Sequence, residues 1–187
     1  MSIENSMLRI GRILSADYGL KVEVRGKLAY AKPGVVVLPS ISSFEWLGHN
    51  AERMLHGLLD HEVGHALFSD FSLAAIEDPR LKTLWNAIED GYVERAMRRK
   101  FPGCAFNLKS KNDWYWTSEG KTQTTLADAD PWSAFCLALT MILRGTITVK
   151  DVEPLRPEVA LMLRTAAKHI KRAHAVESTT QAYAVAL

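Results

Sequence analysis

His61-Glu62-Val63-Gly64-His65 is an HExxH pattern, and the chemistry explains its spacing. Residues four apart on a helix share one face, so both imidazoles can reach a single cation. Glu62, beside them, can hold and deprotonate a metal-bound water, whose pKa zinc lowers to about 7. With six His and twelve Glu among 187 residues, a shuffled chain shows the pattern roughly once in a hundred trials, so the surroundings have to support it. Outward from the motif, Leu55, Leu58, Leu59, Ala66 and Leu67 form an apolar stripe over a helix that Asn50 opens and that runs to about Phe68. Ser42 and Glu45, ahead of it, fit a capping box. Gly57 and Gly64 cost about 1 kcal/mol each in a helix interior relative to Ala, which suggests that something approaches closely at Gly64.

A catalytic zinc normally takes three protein ligands and leaves one position for water. The longer HExxHxxGxxH pattern is absent, because Phe68 and Phe71 stand at its Gly and third-His positions. The third ligand must therefore come from elsewhere. After Asp78-Pro79, Leu81, Leu84, Trp85, Ile88 and Tyr92 recur at helical spacing until Phe101-Pro102-Gly103, and Arg98, Arg99 and Lys100 suit the negative pole of that helix. On its flank stand Asn86, Glu89, Asp90 and Glu94. Glu89 is the expected third ligand, with Asp90 accepting an imidazole N–H to fix tautomer and orientation. Spacing leaves these two roles exchangeable. Asn86 and Asp70 are expected as supporting polar groups, Asp70 serving equally well as a helix-end residue.

Before the motif, Met7, Leu8, Ile10, Ile13 and Leu14 mark a short helix ending near Gly19. Val22 and Val24, then Val35 to Leu38 after Pro33-Gly34, read as strands of a small antiparallel sheet. Residues 104–130 look polar and irregular, and their Trp114-Tyr115-Trp116 cluster fits either the lining of a substrate groove or, favoured here, alternating aromatics packed in a half-buried strand. A buried helix follows from Pro131 to Leu143, another over about Glu158 to His174, and a last capped helix over Ser178 to Leu187. Its abrupt stop favours a chain cut from something longer over a natural end.

The expected organisation is one domain over residues 1–187, with the sheet, the HExxH helix and the glutamate helix in 1–103 and a mainly helical lobe in 104–187. Its class is α+β, mainly helical and zincin-like. Hydrophobic residues make up 48% of the chain, enough for a proper core, and a formal charge of +2 gives no field to attract nucleic acid or an anionic membrane. Neither a secretory signal nor a membrane-spanning run is present, so a cytoplasmic setting is expected. Cys104 and Cys136 lack CxxC partners and read as buried thiols. Tyr92, Tyr115, His169 and His174 are the residue types able to stabilise a transition state.

Residues 61–70 together with Trp85-Asn86-Ala87-Ile88-Glu89-Asp90-Gly91-Tyr92-Val93-Glu94-Arg95 resemble the metallopeptidase-like region of cobaltochelatase-subunit-like (CobT-like) proteins of bacteria and phages. The resemblance is strongest over residues 55–100. It implies His61, His65 and Glu89 as zinc ligands, Glu62 as base, and a partner of the AAA+ ATPase or von Willebrand factor A type. The chain departs from the family in lacking the downstream A module. The expected function is zinc-dependent hydrolysis of a protein or peptide substrate. The rival is a non-catalytic zinc-containing adaptor working with an AAA+ ATPase or a chelatase-like complex.

Overall fold

The computed structural model describes residues 3–40, 50–117 and 122–187. The Ser42–Glu45 capping box and His49 lie outside the described residues. Helix α1 (Ile3–Tyr18) leads into strand β1 (Lys21–Val24), followed by β2 (Tyr30–Lys32) and β3 (Val35–Leu38). Helices α2 (Asn50–Phe68) and α3 (Pro79–Lys100) come next, then α4 (Cys104–Trp116), α5 (Thr122–Asp128), α6 (Pro131–Leu143), α7 (Val149–Val152), α8 (Pro157–Thr165), α9 (Ala167–His174) and α10 (Thr179–Ala186). No helix among the described residues is long and apolar enough to cross a membrane.

The sheet is mixed, in the order β1-β3-β2, and not antiparallel throughout. Pro33-Gly34 closes β2 and β3 into a hairpin, with Tyr30 opposite Val37 and Lys32 opposite Val35. That turn reverses the chain, so β3 runs in the direction of β1 and pairs with it in parallel, Lys21 opposite Val35 and Val24 opposite Leu38. The physical reason is the composition of β3. Its Val36, Val37 and Leu38 are buried on both faces, and a strand so apolar takes the centre, leaving β2 at an edge.

Two further expectations change. Residues 104–130 hold helices α4 and α5, so Trp114-Tyr115-Trp116 closes a helix and is not a strand. The inward positions of α4 are Leu108, Lys111 and Asn112, with Tyr115 partly buried. That stripe is half polar and hides the helical period. The segment expected as one helix over Glu158 to His174 is broken at Ala166 into α8 and α9.

Helix α3 is the axis of the molecule. Asp78 caps it, its carboxylate accepting from the backbone N–H of Arg80 at 2.8 Å and of Leu81 at 3.2 Å. Trp85, Ile88, Tyr92 and Ala96 pack into the core formed with α6, α8, α9 and α10, while Met97 joins the core between the sheet, α2 and Leu108 of α4. The helices meet at glycines. A Cβ at Gly64 would lie 2.5 Å from Val93 Cγ1 and 2.7 Å from Met97 Cγ, so α2 and α3 touch backbone to side chain there. At Gly57 the added carbon would lie 2.5 Å from Lys111 Cβ, and at Gly91 it would lie 2.6 Å from Leu143 Cβ. Thus α4 and α6 are drawn in as closely as α3.

Gly64→Ala tests this contact, because in an open helix it would stabilise by about 1 kcal/mol. Here we expect overpacking to prevail, with a net loss of about 1–3 kcal/mol in urea denaturation. A gain would show that the helices are not in close contact.

Candidate metal centre

The motif helix turns His61, Glu62 and His65 toward a cavity of about 400 Å³, whose walls also include Ala29, Tyr30 and Ala31 of the sheet edge and Trp85, Asn86, Glu89 and Asp90 of α3. The two imidazoles stand edge to face with ring centroids 4.8 Å apart. The carboxylate brought to them is that of Asp90, one of the two neighbours that spacing left open. Asp90 Oδ1 lies 3.1 Å from His65 Nε2 and 3.7 Å from His61 Nε2. One donor atom from each of the three residues falls within 4.8 Å of the others. Asp90 Oδ2 faces the other way and accepts from Arg144 Nη2 at 2.6 Å.

Glu89 lines the same cavity but is engaged elsewhere. Its Oε1 accepts from Thr179 Oγ1 at 2.9 Å, so the start of α10 reaches into the site from 90 residues away. The Thr179 hydroxyl also accepts from the backbone N–H of Asp70 at 2.9 Å, tying the turn after α2 to the same point. Asn86 is an exposed part of the cavity wall. The Asp70 side chain is also exposed and caps the short helical turn Phe71–Ala74 by accepting from Ser72 N at 3.0 Å, the helix-end alternative of its expected roles.

The second ring nitrogens also have neighbours. His65 Nδ1 is 2.9 Å from Ser69 Oγ, and His61 Nδ1 is 3.3 Å from Glu94 Oε1, a close approach that falls short of a formed hydrogen bond. Glu94 is fully buried, and so is its counter-ion Lys111, whose Nζ lies 2.9 Å away. Nothing in the sequence marked Lys111, Asn112, Arg144 or Thr179. A periodicity scan that admitted polar inward residues would have found the first two on the stripe from Leu108 to Tyr115.

Electrostatics divide the site. Burial, reinforced by Lys111, pushes His61 down to about 3 and keeps its imidazole neutral. For His65, burial lowers the pKa, but the hydrogen bond and charge of Asp90 outweigh it and the net shift is upward. Burial alone would raise Asp90 and Glu94, yet Arg144 holds the first and Lys111 with Arg144 the second well below the usual carboxylate range. Burial raises Glu62 to about 7, between a committed acid and a committed base. Of the four candidate transition-state donors, Tyr115 shares the electrostatic surroundings of Glu62 and Arg144. The Tyr92 hydroxyl donates to Phe68 O at 3.5 Å, His169 lines an apolar groove, and His174 lies beside Arg95 and Arg99.

The donor set suits a zinc ion. It offers one neutral imidazole, a second whose Nε2 faces a carboxylate oxygen, and that carboxylate fixed from behind by an arginine, all beside an open cavity. Comparison with protein-family models, with curated proteins and with solved structures found no match for this chain.

The raised Glu62 carboxyl has a stability consequence in metal-free protein. Its burial carries no penalty below about 4.5, the ordinary value, and the penalty grows until it is complete above about 7. Glu62→Gln is therefore expected to be more stable than the parent by about 1–3 kcal/mol at pH 8, with the gap closing toward pH 4.5, in denaturation with a chelator present. An equal gap at both pH values would contradict a buried, titrating carboxyl.

Proposed function

We propose that the protein is a zinc-dependent metallopeptidase of zincin-like type, with His61, His65 and Asp90 holding one zinc ion and Glu62 as the catalytic base. The observation that carries this reading is the convergence of three donor atoms within 4.8 Å beside an open cavity that Glu62 also lines. When bound, zinc supplies Lewis acidity, lowering the pKa of a coordinated water toward ~7 and polarising the scissile carbonyl. Glu62, which lines the cavity beside the three donors, would take the proton of the attacking water and pass it to the leaving amine. Arg144 fixes Asp90 from its far oxygen, and Ser69 orients His65.

An extended protein or peptide substrate fits the remaining wall. Among the described residues β2 is an edge strand with its partner β3 on one side, and Tyr30 and Ala31 line the cavity. Its other edge has backbone groups suited to strand addition. Adaptor function beside an AAA+ ATPase calls for a closed four-ligand shell. Glu89 is the neighbour able to close it, and its bond to Thr179 favours the open, catalytic arrangement.

Metal content and proteolysis of a denatured protein mixture, measured together, test the reading. We expect one zinc per chain in the parent, its loss in His65→Ala, and retained zinc with cleavage reduced at least ~100-fold in Glu62→Gln. Zinc without cleavage in the parent would favour the adaptor. Absence of zinc would end both readings.

A further inference from the structure

Glu94 differs from the other acids of α3. It does not line the cavity, it is 0% exposed, and donors surround both of its oxygens. Oε2 accepts from Asn112 Nδ2 at 2.7 Å and from Arg98 Nη2 at 2.9 Å. Oε1 accepts from Lys111 Nζ at 2.9 Å and has His61 Nδ1 and Arg144 Nε each at 3.3 Å. Those last two nitrogens are buried and have no formed hydrogen bond among the described residues, so two unsatisfied nitrogens, Arg144 Nε a donor and His61 Nδ1 of either role, converge on one oxygen.

We infer that Glu94 is a positioning residue of the metal centre, whose Oε1 takes the Nδ1–H of His61 and so leaves Nε2 bare toward Asp90. The inference rests on the reading of His61 as a metal ligand. A neutral imidazole carries one N–H. Placed on Nε2, that hydrogen would face Asp90 Oδ1 at 3.7 Å, too far for a good bond, while the bare Nδ1 would set its lone pair against the lone pairs of Glu94. Placed on Nδ1, it meets a charged acceptor, and Nε2 is free for a cation. A carboxylate behind a ligand imidazole also raises its basicity. His65 has only the Ser69 hydroxyl in that place, so the two imidazoles are unequal donors.

The same geometry explains a fully buried lysine. A carboxylate at 0% exposure persists only if paired and hydrogen-bonded, and Lys111, at 1% exposure, balances it together with Arg98 and Arg144, with Asn112 donating a further hydrogen bond. Helix α4 thus supports His61 through Glu94 without touching the cavity.

The test is the double variant Glu94→Gln/Lys111→Met, which replaces the buried ion pair by neutral groups of similar size. Asn112 and Arg98 are donors on one arm of the introduced amide, so its oxygen turns to them and its NH2 faces His61 Nδ1. That donor should force the hydrogen of His61 onto Nε2. Ring nitrogen NMR on metal-free protein reads the tautomer, competition with a chelator reads zinc affinity, and urea denaturation reads the fold.

We expect Nδ1–H in the parent, Nε2–H in the double variant, and zinc affinity lowered about 10–100-fold with cooperative unfolding kept. An unchanged tautomer overturns the inference, whether or not affinity falls, as does affinity within twofold of the parent. If the double variant does not fold, Glu94→Asp takes its place. It keeps the charge but withdraws the carboxylate by one methylene, and a mixture of tautomers with weakened zinc binding is the supporting result, the parent's single tautomer the overturning one. A parent that takes up no zinc would defeat the metallopeptidase reading, while its tautomer would still decide whether Glu94 holds His61.

Discussion

Two carboxylates on α3 are buried, Asp90 in the wall of the cavity and Glu94 behind it, and the fold around them is arranged so that neighbouring charges keep them ionised. Arg144 arrives from the end of α6, Lys111 from α4 and the histidines from α2. Each of these three neighbours comes close at a glycine: α6 at Gly91, α4 at Gly57, and α2 through its own Gly64. Removing one partner from such a buried pair leaves an uncompensated charge and costs on the order of 3–5 kcal/mol. Helix packing and site chemistry are therefore one constraint, and neither can be altered alone.

That dependence also decides what could be read from sequence. The grouping of His61, Glu62 and His65 was legible because residues four apart on a helix share a face, and α3 because Leu81, Leu84, Trp85, Ile88 and Tyr92 keep helical spacing. The close contact at Gly64 was legible from the cost of a glycine in mid-helix. The choice between Glu89 and Asp90 was not, since adjacent helix positions point only about 100° apart and either can reach a neighbour across a tight interface. Thr179 in α10 engages Glu89 while Asp90 faces the imidazoles, and no local pattern announces a partner 90 residues away.

The strands and α4 were misread for related reasons. A short apolar run such as Val35 to Leu38 specifies burial but not the direction of its neighbours, which the Pro33-Gly34 hairpin sets. In α4 the inward stripe carries Lys111 and Asn112, which bond the buried Glu94, so the hydrophobic period fails where the helix supplies polar partners to the interior.

The bond between Thr179 and Glu89 bears on the order of events during synthesis. The motif helix and α3 are made early, and their helical contacts can form as the chain emerges. The hydroxyl that holds Glu89 and the Asp70 amide comes 90 and 109 residues after its partners. Until residue 179 has been made, Glu89 is therefore without this partner. Glu89 and the turn after α2 gain their shared anchor only when residue 179 can fold back against them, so this wall of the cavity is among the last parts of the site to be fixed.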